Sequence, residues 1–119
     1  MKYFKENEFA NYAMLNDKLV VALDAFREDL GAPITITADY AADGHSPNSM
    51  HYQGKAIDGT CQVALDAFIK KAIKYFTGIG LYMRDGRLAY FHVDVRDTAP
   101  QMWVCEVKAT GYNYVYKIG

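Results

Sequence analysis

The sequence predicts an α+β domain with two main helices packed on one face of a mainly antiparallel sheet and a polar site on the other face. Three observations predict it. Apolar residues recur at helical spacing over 16–30 and again over 62–76. Between and after them lie short segments rich in β-branched and aromatic residues. In the segment 88–96, Ala89, Phe91, Val93 and Val95 alternate with Tyr90, His92, Asp94 and Arg96. Successive side chains on a strand point to opposite faces, so this strand has one apolar face and one face of chemically useful groups.

The elements follow in order. Residues 1–14 read as a short irregular or helical lead-in. The first helix spans about 16–30, with Leu19, Ala22, Leu23, Phe26 and Leu30 on one side. Asn16 or Asp17 can cap it, Gly31 can end it, and Pro33 stops its continuation. Residues 34–38 alternate as a strand, and 39–53 form a polar loop. A strand at 55–61 carries Asp58. The second helix spans about 62–76, with Leu65, Phe68, Ile69, Ala72, Ile73 and Phe76 on its apolar face and the Lys70-Lys71 pair on its solvated one. Strands at 79–83 and 88–96 pair across Asp85-Gly86, a strong hairpin signal. A strand at 102–108 follows, with Trp103 read as core. The tail around Tyr112, Tyr114 and Tyr116 reads as a final edge with one packed face.

The chain of 119 residues suits one domain, 1–119, and 51% hydrophobic residues are enough to build a core. A net charge of −1 leaves no electrostatic footprint for nucleic acid. No run approaches the ~20 apolar residues of a membrane span, and the first residues lack an apolar signal core. A chain made in the cytoplasm and acting as a monomer is the expectation. Cys61 and Cys105 have no close partner in sequence and read as small buried hydrophobes.

The chemistry gathers at two places. His51 and Asp58 flank a turn that Gly54 lets reverse closely, and His92 comes from the strand that follows. Two imidazoles and a carboxylate are a donor set for zinc, with a fourth position left for water. Zinc lowers the pKa of such a water to about 7 and polarises a carbonyl, which equips a site for amide hydrolysis. A proton acceptor is also needed. Asp94, two residues after His92 on the same strand face, is the best placed in sequence. The bland reading stands beside this one: His51 and Asp58 bond within the loop, and His92, Asp94 and Arg96 form a solvated face.

Ser49, His51, Gly54, Ala56 and Asp58 stand in the spacing S-x-H-x-x-G-x-A-x-D. That pattern resembles the signature of the zinc D-alanyl-D-alanine peptidases, whose fold is shared with Hedgehog signalling domains. Gly78-Ile79-Gly80, Phe91-His92-Val93-Asp94-Val95, and Pro100-Gln101 followed by Trp103 resemble the later part of the small phage-type branch. The resemblance implies one zinc ion per chain, held by His51, Asp58 and His92. It implies a site role for Ser49, and hydrolysis of peptidoglycan stem peptides by a D,D-carboxypeptidase or endopeptidase. It implies action at the bacterial wall after release, or within a virion. Tyr40 and His45 are further candidates for the cleft, and Arg96 for contact with substrate. The family places an arginine, thought to stabilise the developing oxyanion, where this chain has Ala41. Arg84, Arg96 and His45 are its possible replacements. Some relatives carry an acidic base where this chain has Ala89. A non-catalytic zinc-binding wall or virion module is the competing reading.

Overall fold

The computed structural model describes residues 1–109 and 111–118, the side chains of 113–118 excepted. Helices α1 (Asp17–Leu30) and α2 (Leu65–Ala72) accompany six strands: β1 (Ile34–Ala38), β2 (Ala56–Cys61), β3 (Gly78–Arg84), β4 (Arg87–Asp94), β5 (Gln101–Lys108) and β6 (Gly111–Ile118). The strand order is β1-β2-β4-β3-β5-β6. Every pairing is antiparallel except β3 with β5. The domain is therefore α+β, as the sequence predicts.

Local chemistry explains the boundaries. Asn16 caps α1 by accepting from the Lys18 N–H at 2.9 Å, which satisfies a donor that the first turn leaves free. Gly31 ends the helix at φ 69°, the left-handed conformation that favours glycine. Asp85 and Gly86 both take positive φ, as the two-residue β3–β4 hairpin requires.

α2 is shorter than the periodicity suggests. Ala64 offers no side-chain cap, so the helix starts only at Leu65. After Ala72 the chain tightens into a turn in which the Lys74 and Tyr75 N–H groups bond to Lys71 and Ala72 carbonyls. That turn swings Ile73 out to 57% exposure while Phe76 stays in the core. Lys71 does not face solvent alone either. Its Nζ donates to Asp29 of α1 at 2.8 Å, and Tyr75 donates to the other oxygen of the same carboxylate.

Phe26 of α1 meets Phe68 and Phe76 edge to face, with centroids 5.6 and 5.3 Å apart. Phe68 in turn packs on Phe91 of β4 at 4.7 Å. These rings join helix to helix and helix to sheet. Burying each side chain contributes on the order of 1.5–3 kcal/mol. Phe91, Val93 and Val95 are buried on the helix side, as the alternation requires. The opposite face of the same strand carries the polar groups. Tyr112 is exposed, whereas the packing expected of Tyr114 and Tyr116 falls on side chains outside the described residues.

Candidate metal centre

The sheet register builds the site in two rows. In the first, Asp58 of β2 lies directly opposite His92 of β4, which lies opposite Gly80 of β3, which lies beside Trp103 of β5. In the second, Ala56, Asp94, Gly78 and Gln101 are aligned in the same way. Directly opposite residues have side chains close enough to touch, so Asp58 and His92 meet without help from a loop.

The two glycines of β3 make room for their neighbours. A Cβ at Gly78 would collide with the Asp94 carboxylate, and one at Gly80 would come within 2.5 Å of the Trp103 indole nitrogen. The Gly78-Ile79-Gly80 motif thus keeps the site face of β3 open, while Ile79 fills the core behind it.

His51 arrives from the loop. It sits in a 3₁₀ turn, Met50–Gln53, in which the Ser49 hydroxyl accepts from the His51 N–H at 3.2 Å. Gly54 ends the turn at φ 66°, and a Cβ there would strike the Met14 carbonyl. Ser49 acts here as the cap that presents His51.

The ligand atoms converge. His51 Nε2 lies 3.1 Å, and His92 Nδ1 3.2 Å, from Asp58 Oδ1. All three atoms fall within 4.8 Å of one another. Tetrahedral zinc with bonds of about 2.0–2.1 Å would space its ligand atoms roughly 3.3 Å apart. The far nitrogens fix the tautomers. His51 Nδ1 lies 2.7 Å from the Asp39 carbonyl, which can only accept, so the hydrogen sits on Nδ1 and the Nε2 lone pair points at the cluster. His92 Nε2 lies 2.6 Å from Asp94 Oδ2, so its Nδ1 lone pair points the same way. Lone pairs from three side chains facing one another repel unless a cation or a proton stands between them. Imidazoles whose outer N–H groups are held by a carbonyl and a carboxylate are the usual support of a metal site. The buried His51, Asp58 and His92 cluster can hold a metal ion.

Asp94, the expected proton acceptor, lies behind His92 rather than beside the cluster. It is fully buried on the far side of the His92 ring from the cluster. Its Oδ1 accepts from Arg96 Nε at 2.9 Å, and its Oδ2 from Arg96 Nη2 at 2.6 Å as well as from His92. With both oxygens committed, Asp94 orients His92 and anchors Arg96. Strand alternation places it on the site face but does not report its depth. Arg96 holds the same pair from the other side and lines the cavity.

The site opens into a cavity of about 710 Å³. His45 lines one wall, its ring stacked on His51 with centroids 4.1 Å apart. Tyr82, Trp103, Arg96 and Gln101 line the other. Tyr40 does not line it; Tyr82 supplies the aromatic wall instead, accepting from Trp103 Nε1 at 3.2 Å. Trp103, expected in the core, faces His92 at 5.1 Å. Arg84 and Ala41 are also outside the lining, and the Ala41 N–H bonds to the His51 carbonyl. Cys105 is buried and Cys61 half-buried; burial pushes the Cys61 thiol up to about 11, so it stays protonated.

Protonation in the metal-free protein follows from this geometry. Burial opposes charge on Asp58, but the His51 and His92 rings beside it outweigh burial and hold the carboxyl well below the usual range. Asp94 is held low in the same way, by Arg96 and His92 against burial. Burial also opposes charge on His92, yet Asp58 and Asp94 outweigh it and raise its pKa. The two carboxylates contribute stability that is present above about pH 4 and lost as pH falls further. His92 contributes stability that is present below about pH 6.5 and lost as pH rises through its raised value. Metal-free protein should therefore be most stable between these limits, each group changing the unfolding free energy by at most about 1.4 kcal/mol per pH unit. Divalent metal should remove the decline on the alkaline side, because it replaces the His92 proton. Denaturant unfolding across pH 3–9, with chelator and with zinc, checks this; a flat metal-free profile would contradict it.

Comparison with protein-family models and with curated proteins found no match.

Proposed function

We propose that this chain is a zinc-dependent peptidase that hydrolyses amide bonds in peptidoglycan stem peptides, acting at the bacterial wall after release or from a virion. One observation carries the proposal. Three ligand atoms with fixed tautomers converge at the base of a cavity large enough for a short peptide. The ordered resemblance of Ser49 to Asp58, and of Phe91 to Val95, to the D-alanyl-D-alanine peptidases supplies the substrate class.

Zinc bound there supplies a Lewis acid for the amide carbonyl and an acidified water. The chain's own residues do the rest. Asp39 and Asp94 hold the two imidazoles in register. His45 faces the cavity and has no ion pair among the described residues, and burial followed by the nearby His51 lowers its pKa, which keeps it neutral and able to accept a proton. Trp103 and Tyr82 form an apolar wall that limits water near the reacting amide.

Purified protein should carry about one zinc per chain and release peptides from isolated peptidoglycan. His45→Gln should keep the metal and lower the release rate by about 10²-fold or more, the usual worth of a positioned base. A chain that binds no metal stoichiometrically would end the proposal. Ala41, standing where the resembled family has arginine, favours one second reading, a zinc-binding wall or virion module without activity. Stoichiometric zinc and bound peptidoglycan fragments, with no cleavage, would select it.

A further inference from the structure

The second row of the sheet face has chemistry of its own. Arg96 is the one lysine or arginine lining the cavity among the described residues. Its guanidinium carries five N–H groups. Nε and Nη2 donate to Asp94, and Nη1 donates to Gln101 Oε1 at 2.9 Å. One N–H on each terminal nitrogen is left without an acceptor among the described residues. Because Gln101 Oε1 accepts from Arg96, its amide nitrogen brings two further donors to the same cavity wall. The guanidinium is held in place rather than free to swing. Asp94 grips one edge, Gln101 the other, and the Trp103 ring lies 5.4 Å from its carbon.

We propose that Arg96 and Gln101 form a carboxylate subsite that receives the free C-terminal carboxylate of a peptide whose scissile amide lies at the His51–Asp58–His92 cluster. The inference rests on the peptidase reading and narrows it to a carboxypeptidase. Planar, forked donors match a carboxylate and hold it at defined geometry. The charge count agrees. With a divalent cation in place, the ion and Arg96 exceed Asp58 and Asp94 by one positive charge, which a ligand carboxylate neutralises. The spacing agrees as well. Asp94 and Gln101 stand one side-chain row, two strand residues, from His92 and Trp103. That step is about 6.6 Å, the reach of one to two extended residues beyond the cut bond.

The test uses a pair of short D-alanyl-D-alanine peptides, one a C-terminal acid and one its amide. A third peptide, amidated at its C-terminus, bears a carboxylate on a side chain instead. Binding is read by calorimetry on zinc-loaded and on chelator-stripped protein, so the result does not depend on turnover. The acid should bind at least tenfold more tightly than either amide, in both metal states. Gln101→Glu fills the fork with the protein's own carboxylate while keeping the size of the side chain and the bond to Arg96. It should abolish the preference for the acid. Arg96→Lys, which keeps the charge beside Asp94 but loses the fork, should reduce the preference with the protein still folded. A preference that survives Gln101→Glu, or that disappears when zinc is stripped, would assign the carboxylate to the metal and overturn the proposal. Equal binding of the side-chain acid would overturn it in favour of a general anion site. Absence of cleavage with the preference intact would count against the peptidase reading and leave the subsite standing.

Discussion

Replacing His51 with alanine is expected to strip the site of metal and reduce peptide release to background. Three protein ligands are the minimum for a catalytic zinc site, and two residual ligands on one sheet face leave the ion open to solvent. The loss of affinity should exceed the ~10–100-fold that removal of an outer partner costs. Stability should fall by less, about 1–3 kcal/mol, because the Asp39 carbonyl loses its donor in a buried position. Metal content by elemental analysis, zinc affinity by competition with a chelator, and peptide release from isolated walls should change together. A variant that keeps wild-type zinc affinity would show that the ion, if bound, lies elsewhere.

Asp94→Asn should be the most damaging isosteric change. The amide cannot accept from Arg96 and His92 at once without turning its NH₂ group toward one of them. Arg96, whose side chain is only 17% exposed, would then lack its counter-charge. Breaking a buried pair in this way costs about 3–5 kcal/mol. His92 would be held by a neutral amide in place of a carboxylate, with a further ~10–100-fold loss of metal affinity. The two roles considered for Asp94 separate here. A proton acceptor would lower the turnover number and leave zinc affinity alone, whereas a positioning residue weakens zinc binding and lowers the melting temperature of the metal-free protein. Urea unfolding and a zinc titration on the same preparation decide between them.

Much of this could be read from local pattern. Helix α1, strand β1 and the two-faced character of β4 follow from periods of 3.6 and 2 that need no tertiary information. His51 and Asp58 of the cluster were legible together because, with Gly54, they form one continuous motif. The opposite wall was not. Trp103 and Gln101 lie on β5, and only its parallel register with β3 brings them beside His92 and Asp94. That register is set by a connection the local pattern does not encode. Asp39 supports His51 through a backbone carbonyl, which any residue type would supply, so no side chain could signal it. Tyr40 was the visible aromatic near the motif, but β1 ends two residues before it and the chain carries it away from the cavity. Asp94 was placed on the correct face, but its burial behind His92 was not legible, because alternation gives direction and not depth.

Asp39 also joins two parts of the molecule that are remote in sequence. Its carbonyl holds His51, while its carboxylate accepts from the Asn11 backbone at 2.7 Å and from the Asn11 side chain at 3.2 Å. Phe9, just before Asn11, is seated against Phe4 in the core. The opening dozen residues are thus a buttress for His51. By linkage, any steadying of the amino-terminal segment that comes with occupancy of the cluster is returned as tighter occupancy when that segment is held, by the same free energy.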